Sequence, residues 1–310
     1  MDMPPASQQT AAPGEGARLM RLATYASVTV ATVLIFAKAM AWQVSGSVSL
    51  LATLVDSLLD ALASLVNLVA VRHALSPADR EHRFGHGKAE ALAGLGQALL
   101  ITGSSVYLLA ESARRLASPA PVEAVAVGMA VMLLAIVLTL ALLAFQRHVI
   151  RATNSTAITA DALHYRTDLL VNGSVLLALA LSGWGWAGFD ALFAMAIAVY
   201  IFASALAIIR EAWDHLMDRE LPDEARAAIA AIARSHPEVH GIHDLRTRQS
   251  GTATFIQMHL ELDDELDLVR AHAISEEVER NVLADYPGAE VIIHLDPLSV
   301  LGEEPRQTFS

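Results

Sequence analysis

Hydrophobic positions in the first two thirds of the chain fall in long runs rather than in short periodic stripes. Six runs stand out: roughly Leu22–Val44, Val48–Arg72, Ala91–Leu116, Val122–Phe145, Ile158–Leu181 and Phe189–Ile209. Each is long enough to cross a hydrocarbon core of about 30 Å as an α-helix. The pattern predicts a bundle of six transmembrane helices. The third run is broken by Gln97, Ser104 and Ser105, so it is expected to face other helices rather than lipid. The connections after runs one, three and five are very short, and those after two and four are longer and basic. Arg18, Arg21, Arg72, Arg80, Arg83, Lys88, Arg147, Arg151, Arg210 and Arg219 fall on one side, Arg114 and Arg115 on the other. Positive charge stays in the cytoplasm, so both termini are expected there.

From Arg219 the pattern changes. Leu221-Pro222-Asp223-Glu224 reads as a helix start, with Pro early and acids in the first turn. That helix should run to about Ser235 and stop at His236-Pro237. His240–Arg248 and Thr252–Leu262 read as strands around a Gln-Ser-Gly turn. Leu266–Leu283 reads as a helix with Ile274, Val278 and Val282 on one face, and Ala289–Leu295 as a last strand. The order αββαβ predicts a small α+β domain. The expected division is a disordered N-terminal tail at 1–17, a transmembrane domain at 18–215, a cytoplasmic domain at 216–298 and a C-terminal tail at 299–310. No N-terminal signal peptide is expected.

Composition agrees with a multi-pass membrane protein. The chain is 54% hydrophobic and only 17% charged, below what a soluble domain carries. Cysteine is absent, which excludes disulfides and thiolate metal sites. The formal charge of -12 and the lack of a basic patch argue against a nucleic-acid partner.

Charge inside the spans is the main chemical signal. Asp56 and Asp60 lie mid-way along the second run; His164 and Asp168 lie in the fifth. Both pairs have i, i+4 spacing, so each occupies one helix face. A charged side chain at mid-bilayer costs about 2.5–3.5 kcal/mol on insertion scales. Protons or a bound cation can neutralise three such carboxylates. If spans two and five pack together, four N and O donors meet, as a tetrahedral dication site requires. The imidazole tilts such a site towards zinc, cadmium or ferrous iron over magnesium or calcium. A lone Asp reads equally well as interhelical hydrogen-bonding glue, but two spaced pairs in separate spans favour metal. Asp161 is either a ligand on the way in or a helix-dipole partner, with the second favoured. Asn67 and Asn172 read as packing donors, and Lys38 either snorkels or pairs with an acid.

Outside the membrane, Asp79, His82 and His86 form a short loop cluster. It reads either as a solvated loop or as a metal site whose backbone Gly85 and Gly87 fix. In the C-terminal domain, alternation puts Ile256, Met258 and Leu260 on one face and Phe255, Gln257, His259 and Glu261 on the other. Val291, Ile293 and Leu295 likewise oppose His294 and Asp296. His243 and Asp244 lie early in the first strand, and His272 lies on the second helix, beside its apolar stripe. A face bearing several His and a bridging carboxylate is a candidate two-metal site; solvated His residues are the bland alternative. His236 and His240 read as loop residues, and His73, His148 and His215 as interfacial ones.

The segments SGSVSLLATLVDSLLDALASL, HRFGHGKAEALA and ADALHYRTDLLVNGSVL resemble the cation diffusion facilitators, in particular the bacterial zinc and ferrous-iron efflux transporters among them. The likeness covers about Arg18 to Leu298. It implies a homodimer in the cell inner membrane, each subunit a six-helix bundle with a metallochaperone-like cytoplasmic domain. It implies Asp56, Asp60, His164 and Asp168 as the transport site for Zn2+, with Cd2+ or Fe2+ as alternatives. It raises Asp79, His82 and His86 to a single-metal site. It implies two zinc ions on His243, His259, His272, His294 and Asp296, with Asp244 accessory, and a dimer salt bridge between Lys88 and Asp218. The expected function is metal efflux in exchange for protons, not an enzyme activity. A metal sensor that binds without transporting is the alternative. A membrane metalloenzyme is a weaker one, because neither HExxH nor GxSxG is present.

Overall fold

The computed structural model describes residues 13–45, 48–117, 126–181 and 189–300. Residues 1–12 and 301–310, which hold most of both expected tails, lie outside the described residues. By contact, Gly14–Trp213 form one compact unit and the chain from Asp214 a second.

The first unit is built from six long helices: α1 (Pro13–Ser45), α2 (Val48–Ala74), α3 (Lys88–Ala117), α4 (Ala126–Thr153), α5 (Thr156–Leu181) and α6 (Phe189–Leu216). At about 1.5 Å per residue even the 26 residues of α5 reach about 39 Å. Among the described residues, five of the helices are long and apolar enough to cross a membrane. α5 carries Asp161, Arg166 and Asp168 in its first half. Most helices overrun the apolar runs by several residues, since a helix need not stop at the hydrocarbon edge. α1 begins at Pro13, inside the stretch expected to be tail; proline suits a first helical position.

α5 is central. Its Ala160 and Leu163 pack with Ala98 and Ile101 of α3 and Ile201, Ala205 and Ile208 of α6. Its Ala157 and Ile158 pack with Met20 and Ala23 of α1, Val71 of α2 and Val149 of α4. Small residues let the backbones approach, the usual basis of packing between spans. A Cβ on Gly94 would lie 3.0 Å from Thr156 Cγ2 and 3.2 Å from Thr156 O, so α3 and α5 meet tightly there. Leu58, Leu59, Leu62, Val66 and Val69 of α2 point outward and are exposed, the apolar face that lipid would cover. Gln97 and Ser105 of α3 are buried as expected, but Ser104 is exposed.

The second unit follows the order α7 (Asp223–Arg234), β1 (Gly241–Ser250), β2 (Ala253–Leu262), α8 (Leu268–Asp285), β3 (Glu290–Pro297). The sheet order is β1-β2-β3, with β2 antiparallel to β1 and parallel to β3. Gly251, at φ 59°, makes the hairpin turn. Ile256, Met258 and Leu260 join Ile229 and Ala233 of α7 and Ile274, Val278 and Val282 of α8 in one core. The opposite sheet face carries the polar residues. Phe255, expected on that face, is buried at its end, with the Arg248 guanidinium 4.5 Å from its ring centroid. His236 is not a free loop residue: it is buried, 3.0 Å from Glu277 Oε2, and tacks the end of α7 to α8.

Candidate metal centres

Three donor clusters emerge among the described residues, each with donor atoms within 4.8 Å of one another: Asp60–His164–Asp168, Asp79–His82–His86 and His243–His259–Asp296.

The first lies between α2 and α5. These helices are fastened by a Ser64–Tyr165 hydroxyl contact of 3.0 Å and by Asn67 Nδ2 donating to Ala157 O at 3.5 Å. His164 Nε2 lies 3.1 Å from Asp60 Oδ1 and 3.8 Å from Asp168 Oδ2. It is buried yet has hydrogen-bond geometry to neither. A buried ring nitrogen set between two carboxylates, with neither contact at hydrogen-bond geometry, is an arrangement a metal can occupy. Adjacent donors around a tetrahedral zinc stand about 3.3 Å apart, given bonds of about 2.0–2.1 Å. Asp56, one turn earlier on α2, is exposed and outside this cluster, so three of the four expected donors are together.

Asp161 behaves as neither of its expected roles. It is fully buried and accepts hydrogen bonds from Ser27 Oγ of α1 (2.5 Å), Gln97 Nε2 of α3 (3.2 Å) and Gln146 Nε2 of α4 (2.7 Å). Tyr165, on the same helix, donates to Ser27 O at 3.0 Å. This knot fixes the turn of α5 that precedes His164. Lys38 neither snorkels nor bonds a carboxylate: its Nζ donates to Ser57 Oγ (2.6 Å) and Thr53 O (3.1 Å) of α2. Gln97 was expected to face other helices but not to meet Asp161, and Ser27 and Gln146 carry no pattern that would have flagged them.

The loop cluster is built by its backbone. Asp79 Oδ1 accepts from the N–H groups of Glu81 (2.9 Å) and His82 (2.6 Å), and Gly85 adopts φ 76°. Asp79 then stands 3.3 Å from both His82 Nδ1 and His86 Nε2. The N–H of His82, followed by that of Glu81 and the two imidazoles, holds the Asp79 carboxyl below its ordinary 3.8. Gly87 needs no left-handed backbone.

In the second unit, register does the work. His243 pairs with His259, and His259 with His294, so the three imidazoles form one row across the sheet. Asp296 reaches all three: Oδ2 is 3.2 Å from His243 Nε2 and 2.7 Å from His259 Nδ1, and Oδ1 is 3.1 Å from His294 Nε2. Asp244 sits at a bulge with φ 46°, its Oδ2 3.8 Å from His259 Nε2. Glu261, missed as a site residue, lies 3.0 Å from His243 Nδ1; its place two positions beyond His259 was the available signal. His272 lies apart, 68% exposed, 3.4 Å from Glu276 Oε1. Asp218 has φ 56° and accepts from Arg248 Nη1 at 3.3 Å; Lys88 opens α3.

The donor sets fit zinc-class dications: imidazole with carboxylate, no thiolate, no all-oxygen cage.

Residues 24–217 match the cation efflux transmembrane domain, and residues 221–298 match the cation efflux protein cytoplasmic domain. The chain is 52% identical over 287 residues to the cation-efflux pump FieF of Serratia proteamaculans, covering 93% of this chain and 96% of that one. It is 51% identical over 284 residues to FieF of Klebsiella pneumoniae, covering 92% and 95%. Among solved structures, the zinc form of CzrB is 32% identical, covering 29% of this chain and 100% of that one, with a TM-score of 0.26. With both of its units matched in sequence order, this chain belongs to the cation diffusion facilitator family of cation efflux transporters.

Proposed function

We propose that this cation efflux transporter exports Zn2+, with Cd2+ and Fe2+ as alternative cargo, from the cytoplasm in exchange for protons. The single observation that supports it is the meeting of Asp60, His164 and Asp168 between two spans, with His164 Nε2 3.1 Å from Asp60 Oδ1 and 3.8 Å from Asp168 Oδ2. Asp56 is the fourth donor, one helical turn away on α2, and closes on the ion as it arrives. These groups bind metal only when deprotonated, so protons and cargo compete for the same atoms. Alternating access then needs only that the site face the cytoplasm when it loads and the outside when it is protonated. The inward proton gradient supplies the drive. Asp161 and its partners hold α5 so that His164 keeps its aim.

The transporter works as a homodimer in the inner membrane with both termini cytoplasmic. Lys88 and Asp218 form a salt bridge that sets dimer geometry more than affinity. Asp79, His82 and His86 hold one ion. His243, His259, His294 and Asp296, with Asp244 accessory, hold zinc in the cytoplasmic domain. His272, which lies apart in one chain, serves the ion shared with the partner subunit.

Purified protein in liposomes carrying a pH-sensitive dye tests the exchange. Zinc added on the cytoplasmic face should drive proton movement in the opposite direction, and a protonophore should collapse zinc accumulation. Zinc binding without any proton flux would mark a sensor instead.

A further inference from the structure

The loop cluster has a neighbour that its assignment leaves unused. His73, in the last turn of α2, packs its ring against His86, with centroids 4.5 Å apart and planes tilted by 59°. His82 packs against His86 as well, at 4.7 Å and 48°. Three imidazoles therefore stand in a row with His86 in the middle. His86 is the buried one: its side chain keeps 7% exposure, and its Nδ1 is buried without a hydrogen-bond partner. Its other nitrogen faces Asp79 Oδ2 at 3.3 Å, and Asp79 Oδ1 faces His82 Nδ1 at 3.3 Å. Each separation, one to either carboxylate oxygen, is near the donor spacing of about 3.3 Å around tetrahedral zinc, and Asp79 supplies one of those oxygens as donor. Asp79, His82 and His86 would leave one corner of that tetrahedron open.

We propose that His73 fills it, making the loop a four-donor site of three imidazoles and one carboxylate. This rests on the reading of the loop as a metal site. The donor atoms of the other three already lie within 4.8 Å of one another. His73 is exposed and its ring stands against the buried member, so joining the other three donors asks of it a side-chain rotation toward them. The helix end on which it sits gives the loop a rigid post. A nitrogen-rich set of this kind takes zinc, cadmium or cobalt in preference to magnesium or manganese. The competing account is that His73 only stacks on His86.

Cobalt(II) alone, added to full-length detergent-solubilised protein, separates the two. The parent carries Asp60→Ala, His164→Ala, His243→Ala, His259→Ala and Asp296→Ala, so of the three clusters among the described residues the loop alone is intact. His73→Ala and His73→Phe should each weaken cobalt binding about tenfold or more and lower the visible absorption that marks four-coordinate cobalt. Phenylalanine keeps the stacking, so a His73→Phe protein that binds like its parent overturns the proposal. Loss of binding in His82→Ala and Asp79→Ala with no change in His73→Phe removes only the fourth donor. Undiminished binding in all of them brings down the loop site as well. In otherwise unaltered protein, zinc should protect His73 from diethyl pyrocarbonate as fully as it protects His82. Protection of His82 with His73 still reactive would contradict the assignment without any folding ambiguity.

Discussion

At the scale of single residues, the chemistry turns on groups whose burial leaves them no water to fall back on. Asp161 accepts from three donors on three other helices, and Ser27 and Gln146 are themselves almost wholly buried. Asp161→Ala would take the acceptor from Gln97 Nε2, at about 1–3 kcal/mol where no water enters, and leave Ser27 Oγ only Ala23 O and Gln146 Nε2 only Ser27 Oγ, besides the cavity it opens. The expected outcome is a large drop in melting temperature in detergent, with zinc content of the cytoplasmic domain unchanged in protein that remains folded. A small drop would show that the knot does not hold α5. Asp79 makes a different prediction. Its carboxyl lies below its ordinary 3.8, so it is ionised throughout the range from pH 5 to 8 and loses charge only as pH falls below that value. Asp79→Asn should therefore weaken metal binding at the loop across that whole range while leaving the shape of its pH dependence intact, measured by competition with a chromogenic chelator. A defect confined to one end of the range would contradict it. Asp60, His164 and Asp168 were legible in the sequence because i, i+4 spacing and the cost of charge in lipid are local properties. The partners of Asp161 and Lys38 were not, because their meeting depends on how separate helices pack.

Elements carry the next level. The six runs and the αββαβ order were readable from hydrophobic pattern alone, since both a span and an alternating strand write their period into a short stretch of chain. Helix ends were less readable: α6 continues to Leu216 although its apolar run ends near Ile209. Strand faces were also readable, which is why His259, His294 and Asp296 were placed together. Register was not. The row His243–His259–His294 depends on a bulge between His243 and Arg246 and on a parallel crossover through α8. The same geometry isolates His272, whose helix packs on the far face of the sheet. Because Asp296 stands within 3.2 Å of all three imidazoles, it is the junction of the site. Asp296→Ala should lower zinc retained by the cytoplasmic domain more than His294→Ala does, read by metal analysis after dialysis. Equal retention in the two variants would argue that the imidazoles bind independently of it.

For the molecule as a whole, the apolar exterior of the helices, the charged cluster between α2 and α5 and the His-bearing sheet of the second unit are the features that a cation efflux transporter of this family combines. The two units carry separate chemistry, so damage to one should leave the other measurable. Zinc transport into proteoliposomes under a pH gradient, compared between the unaltered protein and His164→Ala and Asp60→Ala, probes the central claim most directly. The account predicts that both variants lose transport by about 10–100-fold or more while the cytoplasmic domain still binds zinc. Transport at the unaltered rate in either variant would contradict it.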